Sequence, residues 1–267
     1  MPHSPKSAPF LHSEPAPTLP EHRQRAIARY LELSQRRPEL FATRELRPLI
    51  LDFEELLAIA RQRWLRDGEE GPVIGLGAQS PWHLFLTDVI RLPDSQFTTY
   101  DRLLPTSLLH GRHGVAVVAM APDEAGALGL VLVEQERHAT GQRHWEIPRG
   151  FGEANPTGGE LALEELESEA GFTGKVIKRL ATMHTNSGQT AEQVDYYLID
   201  ATPMANAHPE ASEAITGARI WPLPDLWRAI QSGEITDAFT LNGLALFERY
   251  ISDSEHQGGD GVADSIS

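Results

Sequence analysis

Glu165 and Glu169 stand four residues apart in a stretch that also holds Glu160, Glu164 and Glu167. On a helix this spacing projects both side chains from one face, about one turn from each other. Two like charges so placed repel by a few tenths of a kcal/mol in an exposed helix. They become useful when a hard divalent cation lies between them. Mg²⁺ takes oxygen ligands and binds through one or two carboxylates together with substrate phosphate. An ordinary solvated acidic face is the competing reading of the same residues. The segment in front favours chemistry: Pro148-Arg149-Gly150-Phe151-Gly152-Glu153 follows an apolar strand directly. Glycine there lets a ligand approach the backbone, and carbonyls of such a turn can add oxygen ligands.

The helix that must carry the pair is well signalled. Thr157 and Glu160 form a capping box, Leu163, Leu166 and Ala170 make an apolar stripe, and Gly171 is a natural stop. From Gly114 onward short apolar runs alternate with helical patterns. Val115–Ala119 and Leu128–Val133 flank a turn at 122–126, strands follow near 145–147, 175–183, 194–199 and 218–222, and helices near 158–170, 224–231 and 237–251. The pattern predicts an α/β (α+β) domain over 106–251, a sheet sandwiched between helices. Ahead of it, 1–20 is rich in Pro, Ser and His and reads as a disordered lead. Residues 21–105 read as an amino-terminal extension. It has a helix over 21–37, a second helix capped by Asp52 with Glu55, and a β-hairpin of Trp82–Leu92 and Gln96–Leu103 turning at Pro93-Asp94-Ser95. Residues 252–267 read as an acidic flexible tail.

Composition narrows the function classes. The 267 residues carry 23 Lys plus Arg against 38 Asp plus Glu, a formal charge of −15, with no basic stripe. Such a field repels nucleic acid and anionic membranes. An anionic nucleotide would need a cation to neutralise the site locally. With no cysteine there are neither disulfides nor thiol chemistry. No apolar run approaches the roughly 20 residues of a membrane span, and no signal-peptide core opens the chain, so a cytoplasmic setting is expected. His110 and His113 have ligand-like spacing but no third His or Cys, which argues against zinc.

WEIPRGFGEANPTGGELALEELESEAGF at 145–172 resembles the box of the Nudix hydrolases, G-x5-E-x7-R-E-U-x-E-E-x-G-U with U apolar. Gly150 takes the first Gly, Glu165 the Glu after Arg, Leu166 the first U, Glu169 the last Glu, and Gly171-Phe172 the close. Pro156, Glu164 and Ser168 depart from it, standing where the box has Glu, Arg and the first of two adjacent Glu. The flanks 131–153, 183–200 and 221–247 are similar to the ADP-ribose pyrophosphatase branch, so the resemblance runs from Gly114 to near Tyr250.

The resemblance implies a Nudix fold and Mg²⁺-dependent hydrolysis (Mn²⁺ in its place) of the pyrophosphate of ADP-ribose or a related nucleoside diphosphate sugar. It implies a homodimer through the amino-terminal hairpin. Glu165, Glu169 and the backbone carbonyl of Arg149 are the implied metal ligands, with Ser168 removing one carboxylate. The loop 208–214 is where the family keeps a catalytic Glu, making Glu213 the first candidate for general base and Glu210 the second; exposed loop carboxylates are the alternative. Glu192 beside Ser187-Gly188 is the third candidate for the base, with contact to substrate or a subunit boundary as the alternative. Arg137, like Arg149, is a candidate for the substrate's phosphate or ribose, since guanidinium offers a bidentate fork. Pairing of Arg137 with Glu134 or Glu136 is the other reading. A degenerate module that binds a nucleotide or protein partner without efficient turnover is the alternative function.

Overall fold

Asp52 starts a helix, and its side chain accepts the Glu55 N–H at 2.8 Å, a cap bond that satisfies one of the free amides of the first turn. That helix, α2, runs Phe53–Asp67 and follows α1, Glu21–Arg36. The structure, a computed structural model, describes residues 18–42, 45–151, 158–205 and 214–257. Its contacts group into two units, Met1–Leu103 and Leu104–Ser267.

In the first unit α1 buries Ala26, Ile27 and Tyr30. A three-stranded sheet joins the helices: β1 (Gly75–Gln79), β2 (His83–Arg91) and β3 (Phe97–Pro105), in that order. β2 and β3 form the expected hairpin, turning through Ser95 at φ 65°, with the Leu92 N–H donating to the Gln96 carbonyl at 2.8 Å. β1, GLGAQ, was not expected from the sequence, because it has neither β-branched residues nor aromatics; pairing with β2 makes it a strand. One acid sits inside this unit. Asp88, 2% exposed, accepts the Tyr30 hydroxyl at 2.6 Å and both oxygens are engaged by Arg102. Burial first, and the Asp88 charge second, push the Tyr30 hydroxyl above its ordinary range.

The second unit is built on β4, Gly114–Pro122, whose run GVAVVAMA is buried along its length. A strand apolar on both faces must lie mid-sheet with helices on either side. β4 does: the seven-stranded sheet has the order β10 (Ile215–Pro222), β5 (Leu128–Arg137), β4, β9 (Gln193–Pro203), β8 (Phe172–His184), with β6 (Gln142–Glu146) on β5 and β7 (Arg149–Phe151) on β4. β4 and β9 run parallel from Gly114↔Val194 while the other pairs are antiparallel, so the sheet is mixed.

Alternation along β4 sends Val115, Val117, Ala119 and Ala121 to one face, against Leu161, Ala162, Leu166 and Ala170 of the box helix. Ala116, Val118 and Met120 go to the other, against Leu226 and Ala229 of α4 (Leu223–Ser232) and Leu244 and Phe247 of α5 (Ala238–Gln257). The box helix begins as α3, Gly158–Glu165, and widens into a π turn over Leu166–Ala170. π turns recur at functional sites, and nothing in the sequence announced this one. Gly171 closes it at φ 70°, the left-handed conformation glycine adopts without cost, donating its N–H to the Glu167 carbonyl at 3.1 Å. The capping residue Thr157 lies outside the described residues, as do Glu153 and Pro156. Among the described residues no helix is long and apolar enough to cross a membrane.

Candidate active site

The two carboxylates read from the sequence meet at β7, a short strand at Arg149 and Gly150 where the sequence predicts a glycine turn. Glu169 is 3% exposed and its Oε2 accepts the Arg149 backbone N–H at 2.9 Å. Glu165, partly buried, lies against Gly150: a Cβ built on that glycine would stand 1.7 Å from Glu165 Oε1. Gly150 is therefore required by the approach of a side chain, not by its own backbone conformation. Glu164 and Glu167 are exposed, so they are the solvated acids of this helix. Ser168 is half-buried, with its hydroxyl 3.5 Å from the Glu165 carbonyl, and adds no charge.

β7 places these groups by strand alternation. Gly150 pairs with Val115, which faces the box helix, whereas Arg149 pairs with Ala116, which faces α5. The Arg149 guanidinium accordingly reaches Asp237 at 3.3 Å and lies 4.0 Å from the centroid of the Phe239 ring. It also donates to Glu146 Oε2 at 2.6 Å.

Glu146 is 2% exposed and is the hub of the charged cluster. Arg137 grips it with Nε at 2.9 and 3.1 Å from the two oxygens and Nη2 at 2.6 Å. Burial alone would pull the Arg137 guanidinium down. Hydrogen bonds and charge from Glu146, with Glu169 and Asp237 behind it, outweigh this and hold it above its ordinary value. The partner expected for Arg137, Glu134 or Glu136, is thus corrected to Glu146. Those two residues do not offer the fork: Glu134 instead accepts the Thr216 hydroxyl and lies 3.9 Å from Arg143.

Glu192 stands just ahead of β9, at the sheet end where Val194 pairs with Gly114 and Gly114 with Phe151. Its carboxylate accepts the Thr185 hydroxyl. Tyr196, fully buried and stacked on Phe239 at 6.5 Å, has its hydroxyl pushed up to about 12, chiefly by burial. Glu213 and Glu210 lie outside the described residues. His113 Nδ1 lies 3.5 Å from Asp195.

Sequence reasoning missed Glu146, Asp237, Phe239 and Thr240. Asp237-x-x-Thr240 could have been read as a helix cap, and it is one: the Thr240 N–H and hydroxyl both reach Asp237 Oδ2 at 2.8 Å. No local signal says that this cap faces a turn 88 residues earlier.

The arrangement fits a divalent cation in its donor chemistry. Two carboxylates converge on Arg149 and Gly150 of β7, with the Glu165 carboxylate in the space that a Cβ on Gly150 would need. Among the described residues no set of three His, Asp or Glu side chains is grouped to hold one alone. Backbone oxygen and substrate phosphate would have to complete the shell.

No family model matches the chain. It is 27% identical over 161 residues, 59% of its own length and 72% of the relative's, to the ADP-ribose pyrophosphatase of Mycobacterium tuberculosis. Against the ADP-ribose pyrophosphatase of Bacillus subtilis it is 28% identical over 134 residues, 50% of this chain and 71% of that one. The chain is thus similar to ADP-ribose pyrophosphatases, which are Nudix hydrolases. A crystal structure of an ADP compounds hydrolase superposes with a TM-score of 0.55 at 19% identity, covering 68% of this chain and 91% of that one, which shows a shared fold. The Nudix-like box keeps Glu165 and Glu169 beside β7, while its three departures fall on an exposed acid, a half-buried hydroxyl and a residue outside the described set.

A stability prediction follows from the same cap. The hydroxyl of Thr240, 0% exposed, accepts the Ile147 N–H at 3.0 Å. Thr240→Val keeps the shape and strands that buried amide, a loss of about 1–3 kcal/mol. Chemical denaturation of the two proteins measures it, and an unchanged midpoint would contradict it.

Proposed function

We propose that this protein hydrolyses the pyrophosphate bond of ADP-ribose or a related nucleoside diphosphate derivative, using Mg²⁺ or Mn²⁺ held by Glu165, Glu169 and the backbone carbonyl of Arg149. The observation that carries the reading is the convergence of both carboxylates on Arg149 and Gly150 of β7. Curated relatives named ADP-ribose pyrophosphatase support the substrate class. A phosphoanhydride carries negative charge that turns away a nucleophile, and a bound divalent cation supplies the neutralisation and the activated water such a reaction needs. In this chain Glu165 and Glu169 provide the negative charge that retains the cation. Glu146 holds Arg149 and Arg137 at the edge of the site, where their charge offsets that of the acids. Arg137 and Glu192 are read as substrate contacts, and Glu213 as general base. The homodimer that the resemblance implies and the cytoplasmic setting expected from the apolar pattern belong to the same proposal.

Ser168 favours a second reading, a module that binds a nucleotide without efficient turnover. Where the box has an acid, its hydroxyl lies 3.5 Å from the Glu165 carbonyl. AMP release from ADP-ribose separates the two. The hydrolase reading expects turnover with Mg²⁺ or Mn²⁺ that EDTA abolishes. Nucleotide binding by calorimetry with no AMP release under any metal would establish the binding module instead.

A further inference from the structure

We infer that Asp237 is a positioning residue: through Arg149, the first turn of α5 fixes the backbone amide that aims Glu169 at the catalytic turn. The inference rests on the hydrolase reading for its activity readout but on geometry for its logic. Asp237 uses its two oxygens for separate tasks. Oδ2 accepts the Thr240 N–H and hydroxyl, both at 2.8 Å, and so caps α5. Oδ1 lies 3.3 Å from the Arg149 guanidinium. Arg149 in turn donates its backbone N–H to Glu169 at 2.9 Å, so one residue carries the helix cap at its side chain and the site carboxylate at its main chain.

The attachment is double. Thr240, bonded to Asp237, also accepts the Ile147 N–H at 3.0 Å, pinning the chain two residues before Arg149. Phe239 closes the third side, with the guanidinium 4.0 Å from its ring centroid. The Arg149 side chain is 18% exposed and that of Asp237 9%, so solvent does little to screen the pair. Within the box helix the acids at 160, 164 and 167 bring no cation to steady Glu169. Glu169 is held by the neutral backbone N–H of Arg149, whose side chain is tied to Glu146 and to the cap of α5. A carboxylate that must keep its place against a cation depends on such an outer partner; loss of one costs roughly 10- to 100-fold in metal affinity or activity.

Asp237→Asn separates the cap from the ion pair. Asn caps a helix about as well as Asp, but its NH₂ set against a guanidinium puts donor against donor. Wild type, Asp237→Asn, Arg149→Gln and the double variant would be compared in three measurements: thermal melting, Mn²⁺ binding followed by the electron paramagnetic resonance of the free ion, and ADP-ribose turnover. Asp237→Asn is expected to fold with a lowered melting temperature, to bind Mn²⁺ roughly 10- to 100-fold more weakly and to lose kcat by a similar factor with KM little changed. The double variant should be no worse than Arg149→Gln alone, because Asp237 acts through Arg149. Wild-type Mn²⁺ affinity in Asp237→Asn, or losses that add in the double variant, would overturn the inference while leaving the hydrolase reading intact. A wild-type protein without turnover would overturn that reading, and the Mn²⁺ comparison would still decide this one.

Discussion

Glu169→Gln is expected to lower kcat for ADP-ribose hydrolysis on the order of 100- to 1,000-fold, the loss that follows removal of one group stabilising charge in a transition state. The substitution keeps the size and shape of the side chain. Glu169 is 3% exposed and its Oε2 accepts the Arg149 N–H, an acceptor role that the glutamine carbonyl can keep. What disappears is one negative charge beside the turn. The folded protein should therefore melt near the wild-type temperature, and raising the Mg²⁺ concentration should recover part of the rate if the lost charge acts by retaining the cation. Steady-state AMP release across a metal titration measures both. A variant with wild-type kcat would remove Glu169 from the site.

Gly150→Ala tests the same turn from the other side. The added Cβ would lie 1.7 Å from Glu165 Oε1, 2.2 Å from Cδ and 2.7 Å from Oε2, so the carboxylate cannot stay where it is. The obstacle is the far end of a flexible side chain, which can swing away at small cost in stability. Catalysis is less forgiving: a misplacement of about 1 Å costs on the order of 100-fold. The expected result is a melting temperature near wild type with kcat reduced about 100-fold. Full activity in Gly150→Ala would mean that Glu165 does not work from its place against the turn. A collapse in stability would mean that the glycine serves the fold instead.

What the sequence determined here was local. Spacing put Glu165 and Glu169 on one helical face, Gly171 marked the helix end at φ 70°, and Asp52 marked the start of α2, because caps, stops and periodicity act within a few residues of chain. The apolar run of β4 likewise announced a strand covered on both faces. The π turn under Glu169 and the strand GLGAQ were not legible, the first because it is a departure in hydrogen bonding, the second because only its partner makes it a strand. Nor could the sequence choose Glu146 for Arg137 over the nearer Glu134 and Glu136. Strand alternation turns Glu134 and Glu136 to the other face of β5, while the register of Val133 opposite Glu146 puts Glu146 on the face that Arg137 shares, within reach of its long side chain. Only the tertiary structure brought Asp237 and Thr240 to the Arg149 turn, since a contact between residues about ninety positions apart is fixed by how α5 crosses the sheet and not by any pattern that either segment carries.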